Sequence, residues 1–462
     1  MTAEGTTFAN SDSVAEVPAA PAAKSNSTSA ALFVETTATA DLGPLVPLLD
    51  RRHPLLWMRR GFGLAGLGTA LRLEFFGPTR IADAAAAWRQ IVANATIIDP
   101  LGRTGTGLIA MGAFAFSEHS SVSSVLIVPE LIVGRDAGLS WITRIGVGAP
   151  LLDGAVVLDG ALVLDGAAVL DGAAALPRAV PTLDPFGAEF ELSFGAGSQS
   201  AERYRDAVAN AVARIRNHEV SKVVLARELS GALPEGADLR RVISALGLGY
   251  RDCWTFCIDG FIGSSPETLV NVSGGTVSAR VLAGSAARGA DARLDELAAT
   301  ALATSAKDQD EHQFAVLSVL DSLRKHSATV AATELPFTLK LPNLWHLATD
   351  VEGVLSDGSS SLDLVASLHP TAAVAGTPTA VALTLIDELE PFDRGRYAGP
   401  VGWIGANGDG EWAVAVRSAQ VALDGSVTAY AGAGIVADSL PEREWLETRM
   451  KFRPIVEAFA AN

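Results

Sequence analysis

Apolar segments joined by two-residue turns that contain glycine constrain the fold of this chain most strongly. Gly274-Gly275 separates two strand-like segments, and Asp409-Gly410 and Asp424-Gly425 divide the strands predicted near the C-terminal end. Turns of this kind favour β-hairpins. Consecutive hairpins imply antiparallel sheet rather than the parallel sheet built from βαβ crossovers. The predicted fold class is therefore α+β.

Alternating and helical apolar patterns place the remaining elements. Strands are predicted at residues 31–37, 69–76, 124–129, 254–262, 268–272, 276–282, 398–405, 411–423 and 427–436, and a short strand begins at Lys222. Helices are predicted at residues 81–95, at 201–215 with Ser200 as the cap, at 291–325, and from a Thr377 cap and a first-turn Pro378 to about Glu390.

The net charge, the first thirty residues and the two cysteines limit the possible partners and location of the protein. The net charge of −17 argues against nucleic acid, because a nucleic-acid binder places Lys and Arg against phosphates. Residues 1–30 have no apolar run behind a basic start, so we predict a disordered tail rather than a signal peptide. Cys253 and Cys257 are predicted to be reduced thiols in a core strand. A cytoplasmic location is expected.

A hexapeptide repeat occupies residues 152–176, where Leu-Asp-Gly-Ala returns every six residues. Such a period can signal a β-helix, but four hexads could not bury a core, so we predict a surface hairpin or loop. The repeat lies near the end of a predicted N-terminal α+β region, residues 31–195, which is followed by a second region, residues 196–462. Within residues 155–176, three aspartates at about +3 kcal/mol each outweigh nine Val or Leu residues at about −0.5 kcal/mol each, so membrane insertion is not expected.

Charged residues near the C-terminus share one face of a predicted helix that has Pro441 in its first turn. Glu444, Glu447 and Lys451 stand at i, i+3 and i+7. This face could be a solvated salt-bridge face. However, the helix follows the glycine-rich strand end at residues 431–436, where bare backbone amides can face an anion. Glu447 together with Glu311 from another helix would give Mg²⁺ a sufficient set of protein ligands.

Three further residues are ambiguous when each is considered by itself. Strand alternation would place Arg417 on one face among small alanines at 413, 415 and 419, which leaves space for a planar carboxylate. The same arginine could instead pair with a neighbouring acid in a sheet. Lys222 could be an exposed edge residue, and Glu267 could be an ordinary loop residue.

Six motifs, taken together, resemble the chorismate-utilising enzymes, and within that family the isochorismate synthases. The resemblance covers residues 200–455 and is loose before them, and it implies that residues 196–462 form the chorismate-binding catalytic region. It implies large, mainly antiparallel sheets packed together and flanked by helices. The motifs are Phe261-Ile-Gly-Ser-Ser-Pro-Glu-Thr-Leu-Val, Leu282-Ala-Gly-Ser, Leu344-Trp-His-Leu-Ala-Thr, Leu368-His-Pro-Thr-Ala-Ala-Val-Ala-Gly-Thr-Pro, Tyr397-Ala-Gly-Pro-Val-Gly-Trp and Ala431-Gly-Ala-Gly-Ile-Val.

The resemblance implies a role for each candidate residue. Lys222 matches the general base that activates water, and Glu267 matches the general acid that protonates the departing hydroxyl. Glu311 and Glu447 match the Mg²⁺ ligands, with Glu444 helping directly or through water. The implied substrate-binding groups are Tyr397, Arg417 and Lys451 for a carboxylate, backbone amides near Gly434 and Ser285, and His346 beside the ring.

One position implies the choice of nucleophile. Relatives that add nitrogen from ammonia through a covalent lysine intermediate carry that lysine where Ala283 stands here. The resemblance therefore implies that water adds at C2 of chorismate and that isochorismate is the product.

Two alternative functions stay open. One is a salicylate synthase, which also eliminates pyruvate, and the other is a catalytically silent chorismate-binding or scaffold protein. A monomer is expected, and the choice between menaquinone and siderophore pathways stays open.

Overall fold

The computed structural model describes residues 31–148, 156–158, 161–163, 181–342 and 344–460. Within these ranges the chain forms 25 strands and eight α-helices. The strands are β1 (Ala31–Thr39), β2 (Leu55–Arg59), β3 (Phe62–Leu67), β4 (Leu71–Phe75), β5 (Thr96–Ile98), β6 (Ile109–Ala113), β7 (Ser124–Val128), β8 (Leu131–Asp136), β9 (Leu139–Gly148), β10 (Val156–Leu158), β11 (Ala161–Val163), β12 (Gly195–Ala196), β13 (Lys222–Ala232), β14 (Trp254–Ile258), β15 (Phe261–Ser265), β16 (Thr268–Ser273), β17 (Thr276–Ala287), β18 (Ala331–Ala332), β19 (Phe337–Lys340), β20 (Leu344–Val354), β21 (Gly376–Thr377), β22 (Pro400–Gly405), β23 (Gly410–Val414), β24 (Ser418–Val421) and β25 (Ser426–Ile435). The helices are α1 (Arg80–Ala93), α2 (Ala201–Arg216), α3 (Leu239–Gly249), α4 (Ala292–Thr304), α5 (Ala306–Leu323), α6 (Ser361–Leu368), α7 (Thr379–Leu389) and α8 (Pro441–Phe459), and a single 3₁₀ turn covers Val46–Leu48.

Two large sheets contain nearly all of these strands. The first sheet has 13 strands in the order β12-β13-β25-β24-β15-β14-β2-β3-β8-β9-β1-β5, with β21 also paired to β13. The second sheet has ten strands in the order β18-β20-β17-β16-β23-β22-β6-β7-β4, with β19 also paired to β20. Of the described pairings only β1 with β5 is parallel, so the predicted α+β class with mainly antiparallel sheets is confirmed. Strands from both sides of residue 195 enter each sheet.

The main core lies between the two sheets. Its buried side chains come from both sheets and include Trp57 on β2 and Trp412 on β23. The Trp57 Nε1 atom donates a 2.9 Å hydrogen bond to the Glu411 carboxylate of the opposite sheet. Leu56 points to the other face of β2 and belongs to a second cluster, which packs α3 and α8 against the first sheet.

Two segments predicted as single strands are divided in the structure. Residues 254–262 form the hairpin of β14 and β15, because Asp259 and Gly260 adopt φ values of 55° and 71°, which suit a tight turn. Residues 411–423 are divided into β23 of the second sheet and β24 of the first sheet. Arg417, between them, has a φ of 56°. The predicted alternation of Arg417 with the alanines was therefore wrong, since a left-handed residue interrupts the two-residue period.

The helix predictions need two similar corrections. Residues 291–325 form α4 and α5 rather than one helix, because Ser305 is extended between them and its side chain accepts a hydrogen bond from the Asp308 amide as the cap of α5. Thr377 does not cap α7, since Thr377 belongs to β21 and Pro378 occupies the capping position without a side-chain hydrogen bond. The Ser200 cap of α2 is confirmed by its hydrogen bond from the Arg203 amide.

The structure confirms the prediction for the cysteines and describes only part of the hexapeptide repeat. Cys253 and Cys257 are buried on and beside β14 with free thiols, as predicted. In the hexapeptide repeat, β10 and β11 pair antiparallel. The other repeat residues and the tail at residues 1–30 lie outside the described part of the chain. None of the helices in the described ranges is both long enough and apolar enough to cross a bilayer.

A buried ion pair connects α7 to the strand that carries Lys222. The Arg394 Nη2 atom lies 2.6 Å from Glu390 Oε1, and both side chains are at most 3% exposed. The Arg394 guanidinium also donates to the carbonyl oxygens of Val224, at 2.7 Å, and Val374, at 3.0 Å. Glu390 accepts a 2.6 Å hydrogen bond from the Ala226 amide. The pair therefore holds the start of β13 against the segment before α7.

We predict that Glu390→Ala lowers the free energy of unfolding by about 3–5 kcal/mol, because it leaves the Arg394 charge buried without a partner. Glu457→Ala is the matched control, since Glu457 pairs with Arg453 at the same i, i+4 spacing but with both side chains more than half exposed. The control is expected to lose less than about 1 kcal/mol. Urea denaturation of both variants measures the difference, and equal losses would contradict the prediction.

Candidate active site

Two of the points at which the chain crosses from one sheet to the other lie next to each other. Pro266 and Glu267 connect β15 of the first sheet to β16 of the second, and residues 415–417 connect β23 back to β24. The Val414 amide donates to the Glu267 carbonyl oxygen at 3.0 Å, and the Ser264 amide donates to the Arg417 carbonyl oxygen at 3.1 Å. These bonds place the side chains of Glu267 and Arg417 in one region although 150 positions separate them in the sequence.

Two glycines on β25 make room for functional side chains. Gly434 lies opposite Val224 of β13. A β-carbon at Gly434 would stand 3.0 Å from Lys222 Cε, and a β-carbon at Gly432 would stand 3.2 Å from the Tyr397 hydroxyl oxygen. The first contact is tighter than most real contacts and would force Lys222 to move. The glycine-rich strand end therefore clears space for an amine and a phenol.

Helix α8 follows β25 and supplies three charged groups from one face, as its spacing predicted. Glu444, Glu447 and Lys451 all line one cavity. The Lys451 Nζ atom lies 2.6 Å from Glu447 Oε1 and donates a 2.9 Å hydrogen bond to the Gly432 carbonyl oxygen. Lys451 therefore links the acidic face of α8 to the glycine strand.

A bulge in β17 positions His346. The register between β17 and β20 shifts at Gly284, which has a φ of +75°, so that Ser285 lies opposite His346. The His346 Nδ1 atom is 3.3 Å from the Gly284 carbonyl oxygen, while Nε2 is buried without a partner among the described residues. Burial, together with the charges of Arg417 and Lys451, lowers the His346 pKa to about 3. The ring is therefore neutral, and donation from Nδ1 leaves Nε2 as an acceptor.

One cavity of about 220 Å³ brings the candidate residues together. Its walls include ten of the eleven residues predicted for the site: Lys222, Glu267, Ser285, His346, Tyr397, Arg417, Gly434, Glu444, Glu447 and Lys451. The eleventh, Glu311, belongs to α5, but its side chain lies outside the described part of the chain, so its ligand role stays a prediction.

Sequence reasoning missed several other residues of this cavity. Asp308 lines it one turn before Glu311 on α5, and the i, i+3 spacing of these two acids could have indicated it. Ala373 and Val374 also line the cavity. They belong to the Leu368-His-Pro motif, in which no site residue was predicted.

Burial and nearby charges determine which ionisable side chains in the cavity hold a proton. Burial raises the Glu267 pKa to about 7, although the positive charges of Arg417, Lys222 and Lys451 act to lower it. No described group hydrogen-bonds the Glu267 carboxyl or the Arg417 guanidinium. Burial also raises the Tyr397 pKa to about 12, so its hydroxyl keeps its proton. The cavity therefore offers a carboxylic acid near neutral pH and a guanidinium available to an anion.

Glu444 and Glu447 are suitable ligands for a divalent cation. Magnesium prefers oxygen ligands and keeps several waters, so one or two carboxylates suffice. Across the described ranges no three His, Cys, Asp or Glu side chains form a group that could hold a metal ion. Two carboxylates on α8 could fill only part of the coordination shell of a magnesium ion, and water would have to fill most of the rest.

We predict that Glu267→Gln raises the free energy of unfolding at pH 8 but leaves it almost unchanged near pH 4. Burial raises the Glu267 pKa from 4.5 to about 7, so the stability that the bound proton contributes is complete below pH 4.5 and is lost as the pH rises through 7. Glutamine does not titrate, and its advantage at pH 8 should reach roughly 1–3 kcal/mol.

Urea denaturation across this pH range measures the effect. Glu235→Gln is the control, because Glu235 is exposed in the loop before α3 and should give no such pH dependence. A stability difference for Glu267→Gln that stays constant between pH 4 and pH 8 would contradict the prediction.

Comparisons with known proteins agree with this geometry. The chain is 32% identical over 447 residues to the salicylate biosynthesis isochorismate synthase of Pseudomonas aeruginosa, covering 93% of this chain and 90% of that protein. It is 40% identical over 273 residues to the isochorismate synthase DhbC of Bacillus subtilis, covering 56% of this chain and 68% of that protein. The structure of DhbC from Bacillus anthracis matches with a TM-score of 0.70 and 28% identity over 90% of this chain and 98% of that chain. The family model for chorismate binding enzymes matches residues 48–460, and the chain therefore belongs to the chorismate binding enzyme family.

Proposed function

We propose that this protein is an isochorismate synthase, an isomerase that adds water at C2 of chorismate and removes the C4 hydroxyl. The observation that carries the proposal is the cavity, in which an amine from Lys222, an acid from Glu267 and the available guanidinium of Arg417 converge. The isochorismate synthases among its relatives support the same reaction.

The residue at position 283 supports water as the nucleophile. Ala283 lines the cavity and is 7% exposed. The family resemblance implies that a lysine at this position forms the covalent intermediate in relatives that add nitrogen. Alanine cannot form such an intermediate, so the proposed nucleophile is water, activated by Lys222.

The proposed reaction balances around one base and one acid. For this step Lys222 has to be in its neutral form, in which it accepts a proton from water while the water oxygen bonds to C2 of the ring. The ring double bonds shift, the bond between C4 and its hydroxyl breaks, and Glu267 donates its proton so that the hydroxyl leaves as water. One water enters and one leaves, which makes the overall reaction an isomerisation. The raised Glu267 pKa keeps part of this acid protonated near neutral pH.

Substrate binding is assigned to the polar groups around the reacting pair. Arg417 and Lys451 would bind carboxylate, since guanidinium forms two parallel hydrogen bonds with such a group. The Tyr397 hydroxyl and the backbone amides near Gly434 and Ser285 would add neutral hydrogen bonds. His346 would accept a hydrogen bond from the substrate through its Nε2 atom.

Magnesium would be held by Glu447 and Glu311, with Glu444 bound directly or through water. When bound, the ion would neutralise the ring carboxylate and fix its position. The acid and base steps belong to Glu267 and Lys222.

We predict that the purified protein, given chorismate and Mg²⁺, forms isochorismate as its main product without a partner enzyme. Chromatography with NMR identification of the product measures this directly. Pyruvate and salicylate released in step with turnover would favour a salicylate synthase instead. Aminodeoxychorismate or anthranilate formed in the presence of ammonium would refute the proposal, and a protein that binds chorismate without converting it would indicate a silent binding module.

We predict that Glu447→Gln raises the Mg²⁺ concentration needed for half-maximal activity by about tenfold or more, because it removes one anionic ligand. Glu442→Gln is the control on the same helix, since Glu442 is exposed and pairs with Arg205. Titration of activity with Mg²⁺ distinguishes the two variants. A normal Mg²⁺ response in Glu447→Gln would remove Glu447 from the metal site.

We predict that Gly434→Ala lowers kcat about tenfold, because the new methyl group displaces Lys222 from its reacting position. Gly195→Ala is the matched control, since Gly195 lies on β12 of the same sheet and its added β-carbon would meet nothing closer than 3.9 Å. Steady-state kinetics of both variants provide the comparison. Equal activities of the two variants would show that the reacting position of the Lys222 side chain does not depend on the space beside Gly434.

A further inference from the structure

A second, much smaller cavity lies behind Glu267. It has a volume of about 20 Å³ and is bounded by β16, β17, α5 and the segment 371–373. Glu267 and Ala373 line both this rear cavity and the main cavity. Glu267 therefore borders both the space proposed for substrate and a smaller cavity that has no room for substrate.

The walls of the rear cavity are largely apolar, with Leu269, Val281 and Val319 all buried. Two of its polar side chains already have partners. Thr268 Oγ1 accepts a 2.9 Å hydrogen bond from Trp254 Nε1, and the Arg280 guanidinium pairs with Asp350.

The other two polar side chains on this wall, Glu267 and Thr371, have no hydrogen-bond partner among the described residues. Thr371 Oγ1 is fully buried without a partner, and the Glu267 carboxyl accepts no hydrogen bond. The two groups do not bond each other directly. The Thr371 main chain is fixed, because its carbonyl oxygen accepts bonds from the amides of Val374, at 3.2 Å, and Ala375, at 3.0 Å.

We propose that the rear cavity holds one water molecule that bridges the Thr371 hydroxyl and the Glu267 carboxyl, and that Thr371 is thereby a positioning residue for the acid. A volume of about 20 Å³ suits a single water. A buried hydroxyl without a partner is costly, and a bridging water satisfies it. The catalytic part of this inference rests on the proposed function.

The bridge has a specific use during the proposed reaction. When Glu267 gives up its proton, a carboxylate forms in a buried place whose front is filled by substrate. On the front side the charged groups acting on it are Arg417, Lys222 and Lys451, with the neutral Tyr397 nearby. At the rear, Arg280 is committed to Asp350. A water held by Thr371 would donate a hydrogen bond to the new carboxylate from behind, where no described side chain does so.

The test compares Thr371→Val with Thr371→Ser in the full-length protein. Valine keeps the volume but removes the hydroxyl, and we expect kcat to fall about tenfold with KM changed less than about twofold. Losing a donor to the carboxylate also raises the Glu267 pKa, so the decline of kcat at high pH should move to higher pH. Serine keeps the hydroxyl and should restore kcat and the pH profile to near the wild-type values.

A high-resolution crystal structure supplies a readout that does not depend on activity. We expect a water within hydrogen-bonding distance of Thr371 Oγ1 and the Glu267 carboxyl in the wild-type protein, and none there in Thr371→Val. This result would support the hydration site even if the wild-type protein formed no isochorismate, which would refute only the proposed function.

Two outcomes overturn the positioning role. Unchanged kcat and an unchanged pH profile in Thr371→Val would show that the hydroxyl does not act on Glu267. Equal losses in Thr371→Val and Thr371→Ser, together with lowered unfolding midpoints, would show that Thr371 matters only for packing.

Discussion

The hydrogen bonds between the two sheet crossovers are the interaction on which the site depends. Strands inside a sheet direct their side chains above and below it, so a side chain that must lie at the junction of two sheets has to come from the connecting chain. Here one connection carries the acid Glu267 and the other carries the cation Arg417. The amides of Val414 and Ser264 join the two connections through main-chain hydrogen bonds. These bonds do not involve the side chains that they bring together.

This arrangement imposes a local cost that the surrounding structure offsets. Arg417 adopts a left-handed conformation, which costs about 1–2 kcal/mol for a residue with a β-carbon. The antiparallel pairing of β24 with both β15 and β25 fixes the chain immediately after it. As a result its guanidinium lines the cavity without an ion pair to any described residue, and its charge is available to a bound anion.

Burial and charge compete at Glu267, and burial has the larger effect. Three cations act to ionise this carboxyl, yet its pKa rises to about 7. If the cations had the larger effect, the group would be a carboxylate throughout the neutral range and could not donate a proton. Burial similarly keeps His346 neutral and Tyr397 protonated. The cavity thus combines neutral hydrogen-bonding groups with a few fixed charges, which suits a dianionic substrate that loses a hydroxyl.

The sequence predicted local elements better than the points at which the chain changes sheets. The Gly274-Gly275 hairpin and the charged face of α8 follow from turn chemistry and helical spacing. The break at Arg417 has no sequence mark, because arginine is not a residue that typically adopts a positive φ. Glu267 and Lys222 could not be distinguished from loop and edge residues by spacing, and only the family resemblance assigned them roles. Thr371 could not be identified from the sequence. It stands out only because its buried hydroxyl lacks a hydrogen-bond partner among the described residues, and that depends on how the chain packs.

The origin of the hydroxyl oxygen in the product tests the separate roles of Lys222 and Glu267 most directly. Chorismate would be incubated with the enzyme and Mg²⁺ in water enriched in the heavy oxygen isotope, and the product examined by mass spectrometry and NMR. Because one water is activated at C2 while the C4 hydroxyl leaves, each isochorismate formed should carry a single heavy oxygen, located at C2. Isochorismate without the label would mean that the hydroxyl of the substrate itself migrates, and it would contradict a site built from one base and one acid.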